Sequence, residues 1–342
     1  MNIEKLTDRE RQVFLSIVHG FIQTAEPVGS RYIAKHYQMD ISPATIRNVM
    51  GDLEEMGLIA QPHTSAGRVP TDIGYRQYVN SMMMVGTLSE QEKRSIVNQL
   101  EGFSQDVNSI IQHATNVLSK ISSQLGVVLT TRFNKGNLEK LQLVRISNDK
   151  LLMVLNVKSG LVKTVILELN DQQIPMNMLE ATEQILNERL HGLSLEELQN
   201  SLHERFRDLD QDRQQLIRTI LKSGELYFKD DSTFHFSGAK TILEQPEFEN
   251  REKIGKILEL LDRKDVLIKI LDEQQTDGVS IVIGDENQEE LMKHCSVITT
   301  SYSLDEAKGT LGIIGPTRMQ YPKIVALVEF MAETLSYLVN KK

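Results

Sequence analysis

A chain of 342 residues, 40% apolar and 25% charged, is long enough for two or three domains with their own cores and too apolar to be intrinsically disordered. The charged start, Met-Asn-Ile-Glu-Lys-Leu-Thr-Asp-Arg-Glu, argues against a secretory signal, and no run approaches the roughly 20 apolar residues of a membrane span. A lone Cys295 cannot form an internal disulfide, so a cytoplasmic protein without a membrane partner is expected. The net charge of −9 is unevenly spread, because residues 1–84 hold 8 Lys and Arg against 9 Asp and Glu and the excess lies beyond them. A near-neutral head on an acidic body can bind DNA if its arginines share a face.

In chain order, Thr7-Asp8-Arg9-Glu10 reads as a capping box, in which Thr7 accepts from the Glu10 amide and Glu10 reaches back. The helix behind it places Val13, Ile17, Val18, Phe21 and Ile22 on one stripe. Pro27 and Gly29 break it, and Ser30 is expected to cap a short second helix carrying Ile33, Ala34 and Tyr37. After a tight turn over 38–41, Ser42 as N-cap and Pro43 at the first helical position open a third helix, which Gly57 closes. There Ile46, Val49, Met50, Leu53 and Met56 are expected inside, leaving Thr45, Arg47, Asn48 and Asp52 outside. Two short helices joined by a tight turn, the second offering Thr, Arg and Asn near its start, form the layout of a major-groove reader. Arg pairs with a guanine edge and Asn with an adenine edge, which Lys or Ser cannot do equally well. Thr45, Arg47 and Asn48 are therefore the expected base contacts, with Arg31 and Ser42 on phosphates.

Residues 58–70 read as a strand, a polar turn and a return strand, which makes a wing. His63, Thr64, Ser65 and Gly67 lie in it, and Arg68 stands at its edge in reach of phosphates or a minor groove. Thr71-Asp72 starts a fourth helix with Tyr75, Tyr78, Val79 and Met82 on its buried stripe, and the methionines at 82–84 read as packing. Three helices with a hairpin also occur in protein-binding winged domains, and an exposed Arg-Asn pair is often only a solvated face. The order of the elements favours DNA more than any single residue does.

Beyond residue 88 the body begins with the capping box Ser89-Glu90-Gln91-Glu92 and one long helix, whose stripe runs from Ile96 to Ile121. That stripe fits either a coiled-coil seam or a helix lying on a sheet. Strands follow at 126–131, 139–146, 151–157 and 162–169, the last three as a meander. Residues 175–226 are helical and acidic, with a stop at Gly192 and a capping box at Ser194-Leu195-Glu196-Glu197. Strands return at 279–284, 295–300 and 311–315, before a last helix over 322–340. Strands, a helical block and strands again suggest one α/β domain interrupted by an insertion. No phosphate-binding loop or nucleophile elbow is present, and the eight histidines lack ligand spacing. Neither catalytic residues, a metal nor a cofactor is expected. Gly315-Pro316-Thr317-Arg318 could be an anion-binding turn, but such a loop more often closes a strand and leads into a helix.

Two runs make the pattern specific. One is Gly51-Asp52-Leu53-Glu54-Glu55-Met56-Gly57-Leu58-Ile59 with Gln61-Pro62-His63-Thr64-Ser65-Ala66-Gly67-Arg68-Val69-Pro70-Thr71-Asp72 and Gly74-Tyr75-Arg76; the other is Leu311-Gly312-Ile313-Ile314-Gly315-Pro316-Thr317-Arg318-Met319 with Tyr321. Together they resemble the heat-inducible transcription repressor family HrcA, over the whole chain. The resemblance implies an α+β multidomain protein: a winged helix-turn-helix over 1–84, then a GAF-like domain in two parts, 89–170 and 251–342, interrupted by an inserted, mainly helical dimerisation domain over 171–250. It also implies a homodimeric repressor of chaperone operons that binds an inverted-repeat operator in double-stranded DNA and needs a GroE-type chaperonin to reach its active form. A regulator switched by a small molecule, and an interaction scaffold whose winged domain never touches DNA, stand as alternatives.

Overall fold

The computed structural model describes residues 6–341 apart from 38–40, 64–66, 103–106, 131–136, 148, 159–161, 169–173, 275–277, 305–306 and, between 195 and 233, all but 197, 205–209 and 217. The head opens with α1 (Asp8–Thr24), α2 (Ser30–His36) and α3 (Pro43–Glu55), continues through the paired β1 (Ile59–Ala60) and β2 (Val69–Pro70), and ends with α4 (Asp72–Ser81). The box at Thr7 is formed, with the Glu10 amide donating to Thr7 Oγ1 at 3.3 Å and the Thr7 amide donating to Glu10 at 2.7 Å. Gly29, and not Ser30, occupies the N-cap of α2: Ser30 is buried inside the first turn and caps nothing. Val13, Phe14, Ile17, Ile33, Ile46 and Leu53 are buried together and hold the three helices around one core.

The body carries two separate sheets. The larger is antiparallel and joins β7 (Phe234–Ser237), β3 (Leu125–Leu129), β10 (Ala307–Pro316), β9 (Cys295–Leu304) and β8 (Ser280–Ile283), in that spatial order. One face is covered by α6 (Val107–Ser122) and α11 (Tyr321–Asn340), the other by α8 (Ala239–Leu243), α9 (Arg251–Asp262) and α10 (Lys264–Glu273). Alternation along β3 serves both layers: Val128 joins the first, while Leu125, Val127 and Leu129 join the second. The single long helix expected from residue 89 is instead two, since α5 (Glu90–Glu101) ends at the Gly102 cap and α6 starts afresh at Val107. Of the two readings of its stripe, packing on the sheet is the one observed for α6.

The smaller sheet, β4 (Leu138–Arg145), β5 (Lys150–Val157) and β6 (Val162–Glu168), is the expected meander, but it shares no ladder with the larger one. Its inner residues, among them Leu141, Leu143, Leu151, Met153 and Leu167, pack with Leu179, Leu186 and Leu190 of α7 (Met176–Leu190). Asn187 accepts from the Leu141 amide at 2.8 Å and donates back to its carbonyl at 2.7 Å, and Glu183 accepts from the Leu143 amide at 2.8 Å. These side chains cover the free edge of β4, which would otherwise be open to another strand. The bridge between Asn137 and Ser194 forms the neck of this unit. Between β3 and β7 the chain leaves the main sheet: the small sheet and α7 lie between the bridged Asn137 and Ser194, and the main sheet takes up the chain again at Phe234. Strand periodicity alone does not tell which sheet a strand joins.

Candidate nucleic-acid interface

In the reading helix α3, local chemistry sets both ends. Ser42 Oγ accepts from the Thr45 amide at 3.1 Å, so one of the orphan donors of the first turn is satisfied, and Pro43 occupies a position that needs no donor. At the other end Gly57 takes φ +73°, its amide donates to the Glu54 carbonyl at 2.9 Å and the Leu58 amide donates to the Leu53 carbonyl at 3.0 Å. That pair of bonds is a Schellman stop, and its left-handed residue favours glycine. Ile46, Val49, Met50 and Leu53 face the core as expected, but Met56 does not: it caps the helix at 39% exposure.

The opposite side of α3 presents Ser42, Arg47 and Asn48 to solvent, with Thr45 half-buried behind them and its hydroxyl 3.0 Å from Ser42 Oγ. Arg31 is exposed on α2. Among the described residues no hydrogen bond or ion pair engages the side chains of Arg31, Arg47 or Asn48. Arg31, Ser42, Thr45, Arg47 and Asn48 thus lie on α2 and at the start of α3, with the donor groups of Arg31, Arg47 and Asn48 turned to solvent.

The wing is tied down more than the sequence suggests. Val28, in the loop after α1, pairs with Arg68 through two backbone bonds of 2.9 Å, an isolated bridge beside the β1–β2 pair. Gly67 lies so close to that loop that a Cβ would come within 2.4 Å of the Val28 carbonyl carbon, so any side chain would push the wing off. His63 is exposed, whereas Thr64 and Ser65 lie outside the described residues. Arg68 turns back onto α3: Nε donates to Glu54 Oε2 at 2.9 Å and Nη2 lies 2.8 Å from the same oxygen, with the Arg68 side chain 19% exposed. The capping Thr71 holds the start of α4 by accepting from the Gly74 amide at 3.0 Å. Of the methionines expected to pack, Met84 is an exception at 87% exposure.

Several residues outside the expected set hold the head against the body. Arg76 on α4 makes a two-pronged pair with Glu286, one bond being 2.7 Å, and also donates to the Ile281 carbonyl at 2.6 Å. Burial alone would raise the Glu286 carboxyl, but the bonds from Arg76 and the Ile283 amide outweigh it and leave it below its ordinary value. Asp72 accepts from the Asp285 amide at 2.9 Å, and burial raises its carboxyl. From the body, Arg318 donates to the Ile22 carbonyl at 2.9 Å while Glu247 holds its guanidinium. Arg318 is thus fully engaged with protein, so the Gly315–Arg318 turn closes a strand and braces a helix. Of these, only Asp72, Arg76 and Arg318 carried a sequence signal, as members of the two runs at opposite ends of the chain.

No group of three His, Cys, Asp or Glu capable of holding a metal occurs among the described residues. His294 is exposed while Cys295 is buried with its thiol pushed up to about 12 by desolvation, so the adjacent pair does not converge. Among the described residues no helix is long and apolar enough to cross a membrane.

The comparisons with known proteins agree with this geometry. Residues 5–83 match the winged helix-turn-helix transcription repressor, HrcA DNA-binding model, and residues 108–325 match the HrcA protein C terminal domain. The chain is 38% identical to the Heat-inducible transcription repressor HrcA of Chlorobium phaeobacteroides (strain BS1), over 99% of this chain and 100% of that one. It is 40% identical to the protein of the same name from Chlorobium limicola, over 100% and 99%, and 37% identical to that of Pelotomaculum thermopropionicum, over 98% of each. A crystal structure of a hypothetical protein shares the fold, with a TM-score of 0.65 at 22% identity over 98% of this chain and 99% of the other.

Proposed function

The chain belongs to the HrcA family of heat-inducible transcription repressors, and we propose that it acts as a dimeric, sequence-specific repressor of heat-shock operons that reads an inverted-repeat operator with α3. It is a regulator and not an enzyme. The observation that carries the reading is the capped helix α3, which exposes Arg47 and Asn48 without partners among the described residues while its other side completes the core of a winged fold. Arg47 and Asn48 are assigned to base edges together with Thr45, and Arg31 and Ser42 to phosphates. Arg68 approaches DNA from the wing by exchanging Glu54 for a phosphate, and His63, Thr64, Ser65 and Gly67 shape that wing.

Two features support a homodimer. One reading helix covers too few base pairs for selectivity in a genome, and two related by a two-fold axis multiply the discrimination. The outer face of the small sheet also presents an apolar patch, where Val144, Ile146, Val162 and Ile166 are each 50–54% exposed. A patch of that kind on a separate unit suits pairing with its own copy. The order of the larger sheet, all antiparallel with helices on both faces, supports a GAF-like body. Dependence on a GroE-type chaperonin rests on the family and on a plausible physical logic: a marginally stable repressor loses its active fold when chaperonin is occupied by heat-damaged chains.

Fluorescence anisotropy across salt concentrations tests the reading, using a chaperone-operator inverted repeat, its half-site and a scrambled duplex, with and without chaperonin. Tight binding to the repeat, weak binding to the half-site and improvement by chaperonin are expected. Equal, steeply salt-dependent binding to all three would reduce the protein to a generic DNA binder.

A further inference from the structure

The two sequence runs at opposite ends of the chain meet in space, and none of their meeting residues belongs to the reading face. On one side of the junction α4 supplies Arg76 and Asp72, which engage the Ile281 carbonyl of β8 and, in the loop that follows it, Glu286 and the Asp285 amide. On the other side Arg318, from the turn after β10, reaches the Ile22 carbonyl near the end of α1. Between these points Tyr75 of the head lies against Tyr321 of α11, their ring centroids 5.8 Å apart and both side chains buried. The covalent connection adds one more tie, a 3.1 Å bond from the Gly86 amide to the Pro322 carbonyl.

A single contact would act as a hinge. Two polar clamps placed on different helices of the head, with an aromatic contact between them, also resist rotation about that hinge. All three guanidinium nitrogens of Arg76 donate within the protein, to Glu286, Ile281 and Asn80, so this arginine is committed to orientation. An inverted repeat places its half-sites about 34 Å apart, or a multiple of that, and a dimer reads both only if its two heads hold a matching separation. A head that swivelled on the body would still read one half-site, but it would lose the entropic advantage of presenting the second helix ready-placed.

We propose that Arg76, Asp72 and Arg318 are positioning residues for operator recognition: by locking the winged head onto the body they set the half-site spacing that the dimer accepts. This rests on the dimeric repressor reading above, and the test separates the two.

The full-length protein is titrated by anisotropy with the inverted repeat, with the half-site, and with repeats whose spacer is two base pairs longer or shorter. The wild type is measured first; no preference for the repeat over the half-site sinks the repressor reading and the proposal with it. Given that preference, Arg76→Glu is expected to keep half-site affinity within about twofold, to cut the advantage of the full repeat by about tenfold or more, and to flatten the discrimination among spacers. The double variant Arg76→Glu/Glu286→Arg restores the ion pair with its sense reversed and is expected to recover much of the spacer preference. Arg318→Gln is a milder probe at the other clamp, should Arg76→Glu fail to fold, and is expected to move spacer preference in the same direction. A folded dimer of either single variant that keeps the wild-type ratio and spacer preference overturns the proposal. So does an equal loss on half-site and full repeat, which would mean a direct contact with DNA or a general loss of the head.

Discussion

Arg47 and Arg76 belong to the same small domain and have opposite fates. The first stands in solvent on α3 with no partner among the described residues, and the second is gripped by a carboxylate and a carbonyl of the body. What separates them is the identity of the neighbours. Around Arg47 the described residues supply core residues behind and nothing in front, whereas around Arg76 the fold brings in residues some two hundred positions away. An arginine left unpaired on a helix that the core holds rigid is available to a ligand; one paired across a domain boundary holds the boundary. The head therefore has a face for recognition and a face for attachment, and substitutions should separate the two cleanly.

The largest effect is expected on the attachment face. Tyr75 is 1% exposed and packs against Tyr321, so Tyr75→Ala should cost about 3–5 kcal/mol of stability, as truncation of a buried aromatic does. Its hydroxyl is buried and has no hydrogen-bond partner among the described residues. Tyr75→Phe should therefore be neutral or slightly stabilising. Chemical denaturation of both variants checks this; a large loss in Tyr75→Phe would mean that the hydroxyl has a partner.

On the recognition face the expectation inverts. Arg47→Ala should leave the unfolding midpoint unchanged, because an exposed and unpaired side chain supports nothing in the fold. It should cost about 1–3 kcal/mol of operator binding and relax selectivity at one base position. Equal losses on operator and scrambled duplexes would make Arg47 a phosphate contact. A fall in stability comparable with that of Tyr75→Ala would erase the distinction between the faces.

The recognition face was legible in the sequence because every device that builds it is local. Ser42-Pro43 starts α3, Gly57 stops it, and the spacing of Ile46, Val49, Met50 and Leu53 turns Arg47 and Asn48 outward. The attachment face was not legible, since Glu286, Ile281 and Ile22 reach Arg76 and Arg318 only through the tertiary fold. Met56 failed as a core residue for a related reason: it sits where α3 ends and the helical period no longer applies. Likewise β4, β5 and β6 alternate as well as any strands of the main sheet, and their separate ladder, with α7 over the β4 edge, is what sets them apart from it.

Arg68 lies between the two faces and offers the smallest and most discriminating test. Its guanidinium is held by Glu54 at 2.8 Å, yet the Glu54 side chain is 37% exposed, so solvent weakens the pair and its worth to stability is about 1 kcal/mol or less. A phosphate presented to the wing would compete with that carboxylate for the same donors. Glu54→Ala should then raise affinity for operator and scrambled DNA alike and steepen the salt dependence by about one phosphate contact, with only a slight loss of stability. Arg68→Ala should do the reverse on both duplexes. If instead both substitutions weaken binding equally, Arg68 serves the wing as Arg76 serves the joint, as a brace whose charge never meets DNA, and the division between recognition and attachment runs through the wing itself.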